Sequence, residues 1–432
     1  MSDSRYVSRE DLLSSIPQKN ENNFLVIVGK NGEGKSRYLN KLIEQSSTSY
    51  HGFDNIIATS TSIFEIFPTK ITLKNDNKFI KYNYFGTKSV VNSKNSNRNS
   101  SNLIVSACLS LLRRFHENNT NNHNYNNIDD SELRYVFSTI NFRPIIEFII
   151  KVDPEINSYR DVFDGVTFTK RNGDVISEDD PIRVQAINNL LERLKGCCDR
   201  NNNVRLGYTL GKAVGLFQTG IINDNELETL LWLTDNEILR ILDIRFSKKI
   251  NELQDDWYSM RLASSGEQCI IMTLIGIASA IRDHSLIFID EPEISLHPEW
   301  QEKFIELLKK AFKQYEGCLF IIATHSPQLI SKLPEKNSFI YNLAQEVLST
   351  SDGFSHRSSD YQLANIFNFP GINNEYLSRI LITWLVKFSK NESPSDSEKT
   401  EIKEALKLKK LLSDSDPVKR LMLMVEDTMG SI

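Results

Sequence analysis

Residues Gly29 to Ser36 read GKNGEGKS and fill every fixed position of the pattern G-x-x-x-x-G-K-[ST]. No other stretch restricts the fold as tightly. The pattern works where a strand runs into a helix through a tight loop, because the loop's backbone N–H groups must converge on phosphate oxygens. Phe24 to Val28 is a short apolar run of strand type, and Lys35 to Gln45 reads as the helix that follows. Asn31, Gly32 and Gly34 are the candidate phosphate contacts of the loop. Lys35 is expected to reach the β- and γ-phosphates of a nucleotide, and Ser36 to take a position on Mg²⁺. A glycine turn without a ligand is the competing reading. The strand before, the helix after and the complete match weigh against it.

A second block lies far along the chain, from Leu262 to Gln328. It holds LASSGEQ, a long apolar helix pattern, LIFIDEPEISLHPEWQ and FIIATHSPQ. Leu286 to Ile289 is an apolar run that ends in Asp290 and Glu291. Adjacent carboxylates at the tip of a buried strand have a chemical use. Asp290 would hold Mg²⁺, directly or through water, and Glu291 would polarise a water for attack on a phosphate. The alternative is an ordinary strand followed by an acidic turn. The phosphate-loop pattern at the other end of the chain favours the chemical reading.

Together the two blocks resemble the ABC-type ATPases. Leu262-Ala263-Ser264-Ser265-Gly266-Glu267-Gln268 is similar to their signature loop, in the form used by the RecF, SMC and OLD-like branch. Asp290-Glu291-Pro292-Glu293 with Ser295-Leu296-His297-Pro298 resembles that branch's Walker B and D-loop. Ala323-Thr324-His325-Ser326-Pro327 resembles its switch-histidine loop. The resemblance covers residues 1–60 and 240–345. It implies ATP and Mg²⁺ as ligands and Glu291 and His325 as catalytic residues. It also implies nucleotide contacts at Ser265, Gly266, Glu267 and Gln268. A lone histidine after a strand could instead cap a turn; the ordered motifs favour a γ-phosphate sensor. The chain departs from the family in one respect. These ATPases place a Gln near the end of the second strand, and no Gln occurs between Gln45 and Gln185. Thr59, Ser60 and Ser62 are candidates for its place; the alternative is that the contact is absent.

The 432 residues include 51 basic and 56 acidic side chains, a net charge of −5, so no strong basic field advertises nucleic-acid binding. Charged residues are 25% and hydrophobic ones 40%, ordinary for a soluble globular protein of two or three folding units. The cysteines Cys108, Cys197, Cys198, Cys269 and Cys318 form no Cys-x-x-Cys pair, so neither a zinc site nor a disulfide framework is indicated. The start, MSDSRYVSREDLL, does not read as a signal peptide, and no run of about 18 apolar residues occurs. A cytoplasmic protein without a membrane partner is expected.

Between the blocks, strands are expected at Asn55–Ser60 and Tyr82–Gly86, and Asn- and Ser-rich surface loops at 91–102 and 118–127. Residues 103–243 read as mainly helical. The segments are Leu103–Glu117, Glu132–Val152 with an interruption at Pro144, Pro181–Cys197, Asn225–Leu233 and Asn236–Leu242. A small hairpin is expected over Phe163–Val175. No sustained heptad supports a long coiled coil. Arg183, Arg193, Lys195, Arg200 and Arg205 read as a solvated face, given the interspersed acids, rather than a nucleic-acid surface. A strand pair at Arg240–Ser247 and Asp256–Leu262 leads into the signature loop. Helices at Gly266–Ile281 and Pro298–Tyr315 and strands at Cys318–Ala323 and Phe339–Asn342 follow, the last closing the sheet. Beyond residue 350 the pattern is helical, at Gln362–Phe369, Asn374–Phe388, Glu398–Leu412 and Pro417–Met429. Ile402, Leu406, Leu408, Leu411 and Leu412 form an apolar face that needs a partner, in this chain or another.

The expected architecture is an α/β ABC-type ATPase head. Its parts are a first lobe at 1–102, a helical insert at 103–238, a second lobe at 239–350 and a helical C-terminal region at 351–432. In this fold the signature loop lies far from its own phosphate loop. The resemblance therefore implies a homodimer of heads with ATP sandwiched between them, and leaves higher oligomers open. About 80 residues follow the last core strand, too few for a nuclease domain of the OLD type. In size and layout the chain most resembles the stand-alone ATPase subunits of bacterial anti-phage systems, namely Septu PtuA and its retron-associated forms. Such subunits are held to sense a trigger and restrain a separate effector, such as an HNH nuclease. The alternative is a DNA-repair or recombination ATPase of RecF or SMC type, with nucleic acid as its direct ligand.

Overall fold

The computed structural model describes residues 4–17, 20–48, 52–62, 66–71, 80–86, 101–120, 130–152, 159–160, 166–169, 175–209, 214–217, 220–251, 254–390 and 392–429. The chain begins with β1 (Ser4–Tyr6), α1 (Leu12–Ser15), β2 (Asn23–Val28), α2 (Lys35–Thr48), β3 (Asn55–Ser60) and β4 (Lys81–Phe85). Next come α3 (Ser101–Thr120), α4 (Asp130–Thr139), β5 (Phe142–Lys151), β6 (Tyr159–Arg160), β7 (Val166–Thr169) and β8 (Val175–Glu178). They are followed by α5 (Pro181–Gly196), β9 (Asn203–Thr209), β10 (Val214–Phe217), β11 (Gly220–Ile221), α6 (Asp224–Asp235), β12 (Arg240–Asn251) and β13 (Gln254–Ser259). Then α7 (Ser265–Ala280), β14 (Ser285–Asp290), a 3₁₀ turn (Pro292–Ser295), α8 (Pro298–Ala311), β15 (Leu319–Thr324), α9 (Pro327–Ser331), β16 (Ser338–Asn342) and β17 (Val347–Thr350) complete the core. Four helices end the described chain: α10 (Ser359–Asn365), α11 (Glu375–Ser389), α12 (Asp396–Lys407) and α13 (Pro417–Met429).

The central sheet has the order β1-β17-β16-β2-β15-β14-β3-β4. From β16 to β4 all neighbours are parallel. β17 turns back on β16, and β1 pairs antiparallel with β17. Two strands, β17 and β1, thus lie beyond Phe339–Asn342, which was expected to be the last. β2, β3, β14 and β15 are buried at every position, which fits the apolar runs at their centres. Alternate residues serve opposite faces. Leu25 and Ile27 pack with Leu39, Leu42 and Ile43 of α2, while Phe24 and Val26 pack with the cluster that includes α7 and α8.

Six strands, β11-β10-β9-β5-β12-β13, make an antiparallel sheet, and β6-β7-β8 a small third one. This corrects the expectation of a mainly helical insert with one small hairpin. Helices α3 to α6 are present, but Glu132–Val152 is not one helical region. α4 stops at Thr139, Asn141 takes a φ of 60°, and β5 begins at Phe142. Ile145, Ile146, Ile149 and Ile150 are β-branched and suit a pleated surface. Pro144 sits beside a register shift between β5 and β12, where a lost ladder hydrogen bond is tolerated. Asn236–Leu242 is likewise not helical: Glu237 has a φ of 60° and β12 starts at Arg240. The hairpin forms between β7 and β8, and its turn lies outside the described residues. Residues 101–102 and 118–120, expected in loops, belong to α3; 91–100 and 121–127 lie outside the described residues.

The C-terminal helices share their own core. Leu377, Leu381 and Trp384 of α11 meet Ile402 and Ala405 of α12, Leu408, Leu412, and Val418, Met422 and Val425 of α13. The apolar face of α12 therefore finds its partner in the same chain, and only Leu411 points outward, 50% exposed. Among the described residues, no helix is long and apolar enough to cross a membrane.

Candidate functional site

The phosphate loop leaves β2 and enters α2 through Gly32 and Gly34, both at a φ of 85°, a region that favours glycine. Asn31 is exposed at its tip. Lys35 is buried, and its Nζ donates to the Gly29 carbonyl at 3.2 Å. Burial lowers the Lys35 pKa, while Glu291, Glu293, Asp290 and Glu33 oppose that effect.

The tip of β14 reaches this loop across the sheet. Ser36 Oγ donates to Asp290 Oδ1 at 3.1 Å. Burial pushes the Asp290 carboxyl up from its ordinary value near 3.8 to about 7, with the Ser36 hydrogen bond acting the other way. Glu291 leaves the strand in the left-handed region, at a φ of 46°, which turns its side chain toward the loop. Its Oε1 lies 3.0 Å from His325 Nε2 and 3.8 Å from Lys35 Nζ. The His325 hydrogen bond holds the Glu291 carboxyl below its usual range, against the effect of burial. Lys35 Nζ also contacts the His325 ring, 3.2 Å from Nδ1 and closer to Nε2. Lys35, Ser36, Asp290, Glu291 and His325, drawn from both blocks, thus form one cluster.

A hydroxyl and a carboxylate that converge in this way fit Mg²⁺, a hard cation that takes few protein ligands and prefers oxygen. Ser36 and Asp290 would hold it. When bound, the ion neutralises phosphate charge. Among the described residues no group of three or more His, Cys, Asp or Glu gathers as a separate metal site.

The signature loop stands apart from this cluster. Ser264 caps α7 by accepting from the Glu267 N–H at 3.3 Å, and Glu267 Oε2 accepts from the Ser264 N–H at 2.9 Å. Gln268 Nε2 donates to the Met260 carbonyl at 2.8 Å and the Ala263 carbonyl at 3.1 Å. Glu267 and Gln268 therefore brace the loop from within. Ser265 is exposed, and Gly266 lies tight on the turn after Walker B: a Cβ there would come within 3.0 Å of the Ser295 carbonyl. Among the described residues, no hydrogen bond or ion pair joins Ser265 or Gly266 to Lys35, Ser36, Asp290, Glu291 or His325.

Of the three candidates for the missing Gln, Ser60 is the best placed. It pairs in register with Asp290 on the neighbouring strand, so both side chains leave the same face of the sheet. Ser60 Oγ accepts from the Ser62 N–H at 3.2 Å. Thr59, one residue earlier, faces the opposite side, and its hydroxyl is buried without a hydrogen-bond partner among the described residues. Sequence reasoning gave no role to Glu293 or Gln301. Glu293 Oε1 accepts from the His325 N–H at 2.5 Å, and Gln301 Oε1 accepts from Ser326 Oγ at 2.6 Å. The signal for Glu293 was the third acid of DEPE, set between Pro292 and Ile294.

Residues 73–331, more than half of the chain, match the model of a family described as "AAA domain, putative AbiEii toxin, Type IV TA system". The matched range starts beyond the phosphate loop. The "Retron Ec83 probable ATPase" of Escherichia coli is 29% identical over 115 residues, 24% of this chain and 20% of that protein. The "Retron Vc95 probable ATPase" of Vibrio cholerae serotype O1 biovar El Tor is 28% identical over 112 residues, 22% of this chain and 21% of that protein. "Protein ea59" of Escherichia phage lambda is 33% identical over 78 residues, 18% and 14% of the two chains. The chain thus spans about a fifth or less of the length of these relatives. Among solved structures, the SMC head domain from Thermotoga maritima aligns over 75% of this chain and 87% of that one, at 10% identity and a TM-score of 0.24. The chain belongs to the AAA-domain family and is an ABC-type ATPase of the RecF, SMC and OLD-like branch, related to the retron ATPases.

Proposed function

We propose that this ATPase is a nucleotide-driven switch that senses a trigger and regulates a partner effector, a nuclease, in bacterial anti-phage defence. The kinship with two retron ATPases carries this reading. Septu PtuA is the kind of subunit it points to. In this account, the loop amides and Lys35 hold the phosphates of ATP. Glu291 takes a proton from the attacking water, and His325 orients Glu291 and faces the γ-phosphate. The exposed Ser265 at the start of α7 caps a nucleotide held by a second copy of the chain. Two heads then close on two ATP molecules, and hydrolysis reopens them.

The charge pattern favours a protein effector over DNA as the direct ligand. Arg193 pairs with Glu226 at 2.5 Å, and Arg183 lies 3.6 Å from Glu178 and 3.5 Å from Glu228. These arginines sit among acids rather than on a basic face. Co-expression with the products of neighbouring genes tests the reading. A nuclease that co-purifies with the chain, in a ratio that changes between wild type and Glu291→Gln in ATP, is the expected outcome. ATP-dependent DNA binding by the purified chain alone, with no such partner, would replace this reading with DNA repair.

A further inference from the structure

Beyond Asp290 and Glu291, the Walker B motif carries a third acid that ATP chemistry leaves without a part. Glu293 sits in the 3₁₀ turn Pro292–Ser295. Its Oε1 accepts from the His325 main-chain N–H at 2.5 Å, and its Oε2 is buried without a hydrogen-bond partner among the described residues. Burial pushes its pKa up, and the His325 N–H works against that. A buried carboxylate with one oxygen unmatched is costly to the fold.

The location of that hydrogen bond gives it a use. β15 ends at Thr324, so the His325 N–H lies past the end of the strand, and the Glu293 carboxylate takes it. The imidazole of the same residue meets Glu291 at 3.0 Å. A second tie runs in parallel: Gln301 Nε2 donates to the Leu296 carbonyl at 2.9 Å, and Gln301 Oε1 accepts from Ser326 Oγ at 2.6 Å. On its other side the turn supports the signature helix. The Ser295 carbonyl fills the space beside Gly266, and Cys269 Sγ lies 3.7 Å from the Pro292 carbonyl.

We propose that Glu293 is a positioning residue, which fixes the His325 main chain, and through it the imidazole on Glu291, to the turn that supports the signature helix. A shift of α7, when Ser265 engages a partner's nucleotide, is carried along this path to the hydrolytic site of its own chain. The device depends on hydrogen-bond geometry rather than on charge. A glutamine oxygen in the same place can accept from the His325 N–H, whereas aspartate is one methylene too short. The positioning role rests on the ATPase site, its trigger on the two-headed arrangement proposed above, and neither on the effector.

The test compares Glu293→Gln, Glu293→Asp and Glu293→Ala in the full chain. Binding of a fluorescent ATP analogue, hydrolysis at saturating ATP, melting temperature and the histidine side-chain NMR signals of ¹⁵N-His protein are measured. The expected glutamine variant keeps at least about half of the wild-type turnover, while aspartate and alanine lose about tenfold or more in kcat with nucleotide affinity within about threefold. The His325 ring signal, assigned from a His325→Gln sample without nucleotide, should move in aspartate and alanine and stay put in glutamine. An active aspartate variant beside an inactive glutamine variant would overturn the proposal, since charge would then be what matters. So would joint loss of affinity, turnover and folding in both. If alanine fails to fold, the aspartate–glutamine contrast decides alone. Absence of hydrolysis by the wild-type chain would count against the ATPase site, and the ring signal would still judge Glu293.

Discussion

At Asp290 burial and charge pull in opposite directions. Burial raises its carboxyl pKa from near 3.8 to about 7, so the folded chain without ligand favours the protonated group only below about pH 7. The stability this contributes is complete below about pH 4 and is lost as pH rises through about 7. Asp290→Asn should therefore flatten the fall in melting temperature between about pH 5 and 8 in chelator, read by differential scanning fluorimetry. A slope equal to that of the wild type would refute this. Mg²⁺ needs the carboxylate, so its binding should tighten over the same rise in pH. Two substitutions separate binding from chemistry at the neighbouring residues. Lys35→Ala removes the ammonium facing the phosphates and should weaken ATP binding about 100-fold or more by fluorescent-nucleotide titration. Glu291→Gln keeps the shape of the side chain but not its basicity. It should bind ATP normally and lose about 100-fold or more of single-turnover hydrolysis. Wild-type turnover in that variant would remove Glu291 as base.

Among the elements, α7 and α12 show how neighbours decide what a pattern means. Gly266 opens the first turn of α7 against the Ser295 carbonyl, a backbone atom that cannot swing aside as a flexible side chain could. Gly266→Ala should leave ATP binding intact and cut hydrolysis by about tenfold, because the signature loop must shift. The stripe of α12 reads on paper as a docking face. In the fold, Ile402, Leu408 and Leu412 pack against α11 and α13. Met422→Ala at the centre of that cluster should cost about 2–5 kcal/mol, seen in chemical denaturation, and leave nucleotide affinity unchanged. β2, β14 and β15 of the central sheet were legible because each is a buried apolar run, whereas the short, exposed β1 and its partner β17 were not. β5 was not, because a run of isoleucines suits a buried helix or a buried strand, and only pairing with β9 and β12 chooses between them.

At the scale of the whole molecule, no hydrogen bond or ion pair among the described residues joins Ser265 to the phosphate-loop cluster, and the proposed function has two copies cooperate. Ser265→Arg should block the cap that a chain offers its partner, and Lys35→Ala should empty its own pocket. Mixed, the two inactive chains should form heterodimers with one unaltered composite site, if the proposed pairing of heads holds. Turnover should recover to about a quarter of the wild-type rate at equal concentrations if the sites act independently. A crosslinked or crystallised ATP-bound head with Ser265 over the γ-phosphate of its own chain would end the head-to-tail account.

The chemistry of the site was set by the sequence itself, because each group belongs to a short local pattern. Gly29–Ser36 dictates a strand, a loop with two positive-φ glycines and a helix. Leu286–Glu291 dictates a buried strand with acids at its tip. Tertiary structure decided what those patterns meet. It put Ser60 beside Asp290, paired β1 with β17 from the far end of the chain, and laid Glu293 under the His325 main chain. The physical reason is range. Backbone preference and side-chain period act over a few residues and appear in the letters. Strand partners, buried hydrogen bonds and the match of Gly266 to Ser295 arise only when distant segments compete for the same core.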